Sequence, residues 1–304
     1  MRESIFQSKR NVIFLAIFYT FLWGCAFPLV KLCMDGFGVS DNASKCLVAG
    51  IRFFISGAGL LVYCSFTEPD SIKLEKSQIK FCILYGVLGV LVQYGLTYIG
   101  LSFVDGSKGA IFDQLCVFVV ILSSGLFFKS DKLTFHKVIG CMVGFLGILA
   151  VNTDGLEFTF SFEGEGIMIL ASVCQAVVFF LSKASCGKIS APKMIGWGQF
   201  IGGILLVTVS LPLGAAIPRF DWIGLMSLLL LSVISALAYV LSLVPLKYFP
   251  ASEISVFNLL ITVFGVIMSA LLLGENIFRW NYLIAISLIS VGIILVNKRQ
   301  KCRD

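Results

Sequence analysis

Long apolar runs alternate with short polar joints along the whole chain. A helix that crosses the hydrocarbon core of a bilayer needs about 20 mainly apolar residues. Ten segments meet this requirement, at about 12–33, 45–66, 79–101, 106–128, 134–152, 165–184, 194–214, 221–244, 251–273 and 280–297. The joints between them carry charges and turn-forming residues, as at 67–70 and 129–132. The pattern therefore predicts an all-α polytopic membrane protein with ten transmembrane helices.

The composition agrees with a bilayer environment and excludes several other classes of protein. Of the 304 residues, 58% are apolar and 13% are charged, and the mean hydropathy is +0.98. Soluble domains are about 45–50% apolar and about 25% charged, so neither a cytosolic enzyme nor a disordered chain fits. The net charge of +6 does not indicate a nucleic-acid partner, because the basic residues lie in short clusters between apolar runs.

The residues that usually carry catalysis or bind metals do not form a recognisable pattern. The ten cysteines include several in the middle of apolar runs, where cysteine behaves as a small hydrophobic residue, and no CxxC or Cys/His cluster occurs. The single histidine, His136, lies at a predicted helix start, and the chain has no phosphate-binding glycine motif. We therefore expect no cofactor, no metal, no catalytic residues and no ATP-driven transport by this chain alone.

The distribution of Lys and Arg sets the predicted orientation. If the N-terminus is cytoplasmic and the segments alternate, 17 Lys and Arg residues fall on the inner side. Four fall on the outer side, namely Lys45, Lys108, Arg219 and Arg279. Basic residues are enriched in cytoplasmic loops. We therefore expect a multi-pass protein of the cytoplasmic (inner) membrane with both termini in the cytoplasm.

The two halves of the chain resemble one another. At an offset of 145 residues, 93–152 aligns without a gap on 238–297, so that Tyr94 meets Tyr239 and both runs end in Val-Asn. Each half holds five segments, which is an odd number, so the two copies must have opposite orientations in the membrane. Inverted repeats are typical of secondary transporters, whose substrate site lies near the midplane between the halves.

This repeat divides the chain into two units. We predict a first five-helix repeat in 1–152 and an external linker in 153–164. A second five-helix repeat and a short basic tail occupy 165–304.

Several motifs resemble those of a known family. The first apolar segment contains Trp23-Gly24-Cys25-Ala26-Phe27-Pro28, and the second contains Arg52-Phe53. The ninth contains Phe264-Gly265-Val266 and is followed by Leu273-Gly274-Glu275, while Lys132-Leu133-Thr134 begins the fifth. With these motifs the chain resembles the EamA-type permeases of the drug/metabolite transporter superfamily over essentially its whole length. The resemblance implies ten helices, two inverted five-helix repeats and metabolite transport without ATP.

The chain also departs from that family's pattern. The Gly-Glu pair expected after the fourth helix reads Lys129-Ser130, and the prolines usual inside the fourth and ninth helices are replaced by Val117 and Thr262. If those prolines act as hinges in relatives, gating in this chain must use other positions. Nearby small residues are the candidates, namely Ser124, Gly125 and Gly265.

Three ionisable residues lie inside predicted segments: Lys31, Arg52 and Asp113. Each costs about 2.5–3.5 kcal/mol at a helix centre on insertion scales, so such residues usually face a cavity or a partner. Two interpretations stay open. Lys31 either extends to the outer interface or ends an aromatic-lined path, and Arg52 and Asp113 either form a structural ion pair or serve the substrate. In the functional case a cation binds a substrate carboxylate, and Asp113 balances the charge or takes a proton.

Uncharged polar and aromatic residues extend the candidate substrate-binding or gating set. Asn258 is the repeat counterpart of Asp113, as Tyr239 is of Tyr94, and paired positions tend to meet at the centre of an inverted repeat. The alternative for each is a hydrogen bond between helices. The full candidate set is Trp23, Lys31, Arg52, Gln93, Tyr94, Asp113, Gln175, Tyr239 and Asn258.

Together these patterns predict a secondary transporter that moves a small polar or amphipathic metabolite, amino-acid-like or drug-like, by alternating access. Its partners would be the small-molecule substrate and the lipid bilayer. A coupling proton or ion and a homodimer both stay open. A flippase of a lipid-linked substrate is the main alternative, and a membrane-embedded enzyme or sensor is less favoured because catalytic groups and signalling domains are missing from the sequence.

Overall fold

The computed structural model describes residues 9–67, 73–101, 103, 106–129, 131–151, 160–273 and 280–297. Within these ranges every regular element is helical, as the apolar pattern predicts. Most of the predicted external linker 153–164 and all of the predicted basic tail after residue 297 lie outside the described residues. The Gly274-Glu275 motif lies outside them as well.

The helices, labelled in chain order, are partly interrupted by other helical types. They are α1 (Lys9–Phe37), α2 (Asn42–Thr67), α3 (Lys76–Leu84, continued by a π-helix Tyr85–Val92 and an α-helix Gln93–Leu101), α4 (Gly106–Phe127), α5 (Phe135–Val151), α6 (a π-helix Phe162–Gly166 and an α-helix Ile167–Ser185), α7 (Ala191–Ser210, continued by a 3₁₀ turn Leu211–Leu213), α8 (Trp222–Tyr248), α9 (Ala251–Ser255, a 3₁₀ turn Val256–Asn258 and Leu259–Leu273) and α10 (Trp280–Val296).

Seven helices in the described part of the chain are long and apolar enough to cross a membrane: α1, α2, α3, α6, α7, α8 and α9. Shorter apolar helices at 112–127, 135–150 and 283–296 lie within α4, α5 and α10. An α-helix satisfies its backbone hydrogen bonds internally, which is the condition for burial in lipid. The helical fold class is therefore confirmed, while ten membrane crossings remain a prediction.

Two helices change their hydrogen-bonding type within their length. In α3 the π-helix Tyr85–Val92 comes directly before Gln93 and Tyr94, and in α9 the 3₁₀ turn ends at Asn258. Such interruptions inside helices often mark functional sites or hinges. The 3₁₀ turn ends four residues before Thr262.

Helices of the two chain halves pack directly on one another through glycine. A Cβ added at Gly140 in α5 would lie 2.7 Å from the Gly292 carbonyl oxygen in α10, and one at Gly292 would lie 2.6 Å from the Gly140 oxygen. The pair α2 and α7 is built similarly, since a Cβ at Gly203 would lie 2.8 Å from the Gly50 oxygen. Small residues of this kind allow helix backbones to approach closely within a membrane.

This packing predicts an unequal response to adding a methyl group. Gly140→Ala places a Cβ against backbone and should destabilise the protein by about 1–3 kcal/mol, as overpacking usually does. Gly59→Ala is the matched control, because nothing lies within 4 Å of a Cβ there, and the better helix propensity of alanine should leave its stability unchanged or higher. Thermal unfolding in detergent measures both. Equal midpoints for the two variants would contradict the close α5–α10 contact.

A buried carboxylate joins the α4–α5 joint to the start of α9. Asp131, which is 1% exposed, accepts hydrogen bonds from Lys137 Nζ at 2.6 Å and from the Ser252 backbone nitrogen at 2.9 Å, and the Ser252 hydroxyl donates a further bond to it. Burial alone would raise the pKa of Asp131, but the bonds from Lys137 and Ser252 outweigh it and hold that pKa below its usual range. Asp131 therefore holds residues of both chain halves together.

We predict that Asp131→Asn lowers stability at neutral pH. Breaking a buried ion pair costs about 3–5 kcal/mol, because the other charge loses its partner. Since the folded-state pKa is depressed, the contribution of the carboxylate is fully present above the unfolded pKa of about 3.9 and is lost only as the pH falls through the lower folded value. The gap in unfolding midpoint between wild type and variant should thus stay constant from pH 8 to pH 5. Asp35→Asn, at an exposed carboxylate, is the control, and a gap that closes between pH 7 and pH 6 would contradict the assignment.

Candidate functional site

Arg52 is buried between helices with few partners. Its side chain is 4% exposed, and its Nε donates a hydrogen bond to the Ser235 hydroxyl of α8 at 2.7 Å. The guanidinium carbon lies 5.2 Å from the Phe53 ring centroid and 5.9 Å from that of Trp23. The Nη2 atom has no hydrogen-bond partner. A guanidinium stays charged at every physiological pH, so the protein holds a buried cation that is only partly compensated.

Aromatic rings from four helices surround this cation. The Trp23 and Tyr239 ring centroids are 4.7 Å apart, those of Phe53 and Tyr94 are 4.6 Å apart, and those of Tyr85 and Tyr239 are 6.0 Å apart. We call Trp23, Phe53, Tyr85, Tyr94 and Tyr239 the aromatic cluster. Its helices are α1, α2, α3 and α8. The cluster supplies ring faces to the cation and a largely apolar wall to any molecule that reaches it.

The hydroxyls of Tyr94 and Tyr239 meet within the cluster. They share a hydrogen bond of 3.1 Å, and the two residues are 145 positions apart in the chain. That separation equals the offset at which the two halves align. The structure therefore brings this pair of repeat counterparts together, as the sequence pattern predicts. Three members of the cluster are half-buried, namely Trp23, Tyr94 and Tyr239.

Two glutamine side chains have an amide atom without a hydrogen-bond partner. The Ser56 hydroxyl, one turn after Arg52 in α2, donates to Gln199 Oε1 of α7 at 2.5 Å. The Gln199 side chain is fully buried and its Nε2 has no partner. On α6, Gln175 is half-buried and its Oε1 has none either. Buried polar atoms without partners cost about 1–3 kcal/mol each, and such costs are typical of sites that complete their hydrogen bonds with a ligand.

Asp113 lies in α4, and Asn258 ends the 3₁₀ turn of α9. Asp113 is half-buried in α4, and among the described residues no ion pair joins it to Arg52. Both charges nevertheless lie within electrostatic range of Tyr94. Asn258 accepts a hydrogen bond from the Tyr19 hydroxyl at 3.1 Å. Arg52 and Asp113 thus both act electrostatically on Tyr94 without forming an ion pair with each other.

Two further candidates lie apart from the ring contacts. Lys31 has an exposed side chain on α1, and Phe27 is 50% exposed. The turn geometry of α1 explains this, because a residue eight positions along a helix is rotated by about 80° from the first. Trp23 therefore faces the cluster while Lys31 does not share its surroundings. Gln93 in α3 is buried, and its backbone oxygen accepts a bond from Thr97.

Several residues of the site are absent from the set that the sequence predicts. Ser235, which orients Arg52, and Ser56, which holds Gln199, are small polar residues of a kind common in membrane helices. Phe53 belongs to the Arg52-Phe53 motif but was not predicted to bind substrate, and Tyr85 looks like an ordinary apolar position. For Tyr85, its place at the start of the π-helix is a structural signal, and no sequence pattern reveals it. In the described residues no cluster of three His, Cys, Asp or Glu side chains could hold a metal ion.

The sequence profile of the EamA-like transporter family matches the chain twice, at residues 10–153 and 163–298. The chain belongs to the EamA-like transporter family. Its family is thus one of transporters, consistent with the apolar helices described above.

Relatives of this EamA-like protein carry transporter names. It is 25% identical to the uncharacterized transporter YoaV of Bacillus subtilis (strain 168), over 91% of this chain and 93% of the relative. It is 24% identical to an S-adenosylmethionine/S-adenosylhomocysteine transporter of Chlamydia trachomatis serovar L2, over 97% and 92% of the two chains. A solved crystal structure superposes with a TM-score of 0.77 at 15% identity, covering 95% of this chain and 97% of the other. That likeness shows a shared fold.

The tyrosine pair predicts a measurable coupling. Tyr94→Phe and Tyr239→Phe each remove one hydroxyl, so the second substitution should cost less once the first has been made. The expected coupling in a double-mutant cycle is about 0.5–1.5 kcal/mol in unfolding free energy, the range of one hydrogen bond. Tyr63→Phe, at a tyrosine that is 56% exposed, combined with Tyr94→Phe should give strictly additive effects. Additivity in the Tyr94–Tyr239 cycle would contradict the contact.

Proposed function

We propose that this EamA-like protein is a secondary transporter that carries a small polar or amphipathic metabolite across the cytoplasmic membrane by alternating access. The substrate would bind at the aromatic cluster around Arg52, between the two halves of the chain. The nine candidate residues from the sequence keep their proposed roles in binding or gating, with Arg52, Trp23, Tyr94 and Tyr239 at the centre. The observation that carries the proposal is a buried, incompletely compensated cation between the buried Phe53 ring and the half-buried Trp23 ring.

Two inverted five-helix repeats are part of the proposal. The twofold match of the family profile supports them. So does the packing of α5 on α10, because the offset of 145 converts the contact Gly140–Gly292 into Ala285–Gly147, and a Cβ at Gly147 would lie 3.0 Å from the Ala285 oxygen. Equivalent contacts in both directions are what a two-fold axis between the halves produces. We therefore propose repeats within 1–152 and 165–304.

Asp113 is the proposed partner of a coupling proton or ion. It lies near Tyr94, carries no ion pair to Arg52, and belongs to α4 rather than to the helix of the cation. Buried carboxylates inside membrane helices commonly serve proton or ion pathways. The basic residues favour cytoplasmic termini, so the proposed site lies between an inner end bearing Asp131 and an outer end bearing Arg219.

A counterflow experiment tests the function without knowledge of the coupling ion. Purified protein is reconstituted into liposomes loaded with one unlabelled compound, and uptake of the same labelled compound is followed. The compounds are the proteinogenic L-amino acids and S-adenosylmethionine. The latter is included because one relative is named as an S-adenosylmethionine/S-adenosylhomocysteine transporter. We expect transient accumulation of at least one compound, about tenfold or more above protein-free liposomes, since a carrier exchanges substrate faster than a leak does.

The alternatives give different results in the same liposomes. A flippase would accelerate the quenching of a fluorescent phospholipid by an external reductant and show no counterflow. An enzyme would convert the labelled compound, and a sensor would bind it without accumulation. Arg52→Gln should lower counterflow by about tenfold or more through loss of a charged hydrogen-bonding group, while Lys188→Gln, at an exposed lysine, should leave it unchanged. No counterflow for any compound by the wild type would contradict the proposal.

A further inference from the structure

Two buried side chains, one on α2 and one on α7, indicate which chemical group of the substrate the protein binds. This inference rests on the proposed function. The Nε atom of Arg52 donates a hydrogen bond to the Ser235 hydroxyl, and its Nη2 atom has no partner. The Oε1 atom of Gln199 accepts a hydrogen bond from the Ser56 hydroxyl, and its Nε2 atom has no partner. Both unpartnered atoms are donors, and both side chains are more than nine-tenths buried.

The two donors belong to one region of the helix pair. Ser56 follows Arg52 by four residues, so the two side chains lie on the same face of α2, one turn apart. Gln199 bonds to Ser56 and is thereby held beside that turn. The helices approach closely here, because a Cβ at Gly57 would clash with the backbone of Phe200. The protein itself offers neither donor a carboxylate within the described residues.

We propose that Arg52 and Gln199 together bind the carboxylate of the transported substrate. A carboxylate has two oxygens and about four lone-pair sites, so it accepts bonds from a guanidinium and an amide at once. One fixed positive charge matches one negative charge, whereas a phosphate dianion would need a second cation. The Phe53 and Trp23 rings beside the guanidinium then contact the apolar body of the substrate.

This assignment explains why a costly cation is kept in the protein. Without ligand the charge is held by Ser235 and two ring faces, which offset only part of its desolvation. The anionic group of the substrate completes the pairing, so the substrate is bound by a charge-assisted bond in a poorly solvated place. The corresponding amide or ester lacks the negative charge of the carboxylate and cannot form this bond.

The test measures binding rather than transport, so it is independent of flux. Thermal unfolding of the purified protein in detergent is recorded with each proteinogenic L-amino acid and with S-adenosylmethionine, and affinities are obtained by titration. Every compound that stabilises the wild type is compared with its own carboxamide. We expect at least one stabilising carboxylate whose carboxamide binds ~30-fold more weakly or not at all.

Three variants test whether the carboxylate binds at Arg52 and Gln199. Arg52→Gln should weaken carboxylate binding ~30-fold or more, and its midpoint without ligand should not fall, because a poorly compensated charge is removed. Gln199→Glu supplies an internal carboxylate beside Arg52 and should abolish binding while raising the ligand-free midpoint. Lys188→Gln, at an exposed lysine, should bind like wild type.

Each contrary outcome overturns the inference in its own way. Equal affinity of acid and carboxamide, or no stabilising carboxylate in the set, excludes carboxylate recognition. An Arg52→Gln variant that unfolds at a lower temperature without ligand and binds as well as wild type indicates a structural role alone. Stabilisation by sodium chloride but not sodium gluconate, lost in Arg52→Gln, indicates a site for an inorganic anion. Counterflow of uncharged compounds alone would support the transporter proposal and contradict carboxylate recognition. Carboxylate binding without counterflow would support carboxylate recognition and contradict the transporter proposal.

Discussion

The burial of one guanidinium governs the centre of this protein. Arg52 cannot lose its charge, and among the described residues it has one hydroxyl hydrogen-bond partner and two ring faces. Such a group is tolerated only where helices of several parts of the chain converge to surround it. Its hydroxyl partner Ser235 comes from the other half of the chain, and so does Tyr239, whose ring packs on Trp23 and whose hydroxyl meets Tyr94. The same residues therefore surround the charge and form part of the interface between the two halves.

Hydrophobic runs determine most of the fold for a physical reason. In lipid every backbone amide needs an internal partner, so a long apolar run in this chain has few alternatives to a helix, and helices were predictable to within a few residues at most boundaries. The π-helix at Tyr85–Val92 and the 3₁₀ turn at Val256–Asn258 were not, because an apolar run has the same composition whichever neighbour its amides bond to. Asp131 was missed for a related reason, since a charged residue in a short joint resembles a solvated loop.

The site could be predicted in part. Arg52 stood out because a charge inside an apolar run is costly, and the meeting of Tyr94 with Tyr239 followed from the 145-residue offset. Direct pairing of Arg52 with Asp113, one of the alternatives from sequence, does not occur, because similar depth along two helices does not fix the direction in which side chains point. The role of Ser235 follows only from its neighbours in space, because a serine in a membrane helix is common.

We propose that access alternates around the tyrosine pair, and this motion would change the distances between the ends of α3 and α8. Spin labels at exposed positions Ser77 and Lys247 report one end, and labels at Phe103 and Trp222 report the other. Because the two helices meet at Tyr94 and Tyr239, closing one end should open the other. Pulsed electron resonance in liposomes should therefore give two distance populations for each pair, which shift in opposite directions when substrate is added. A single unchanged distance for both pairs, or changes of the same sign, would contradict the account.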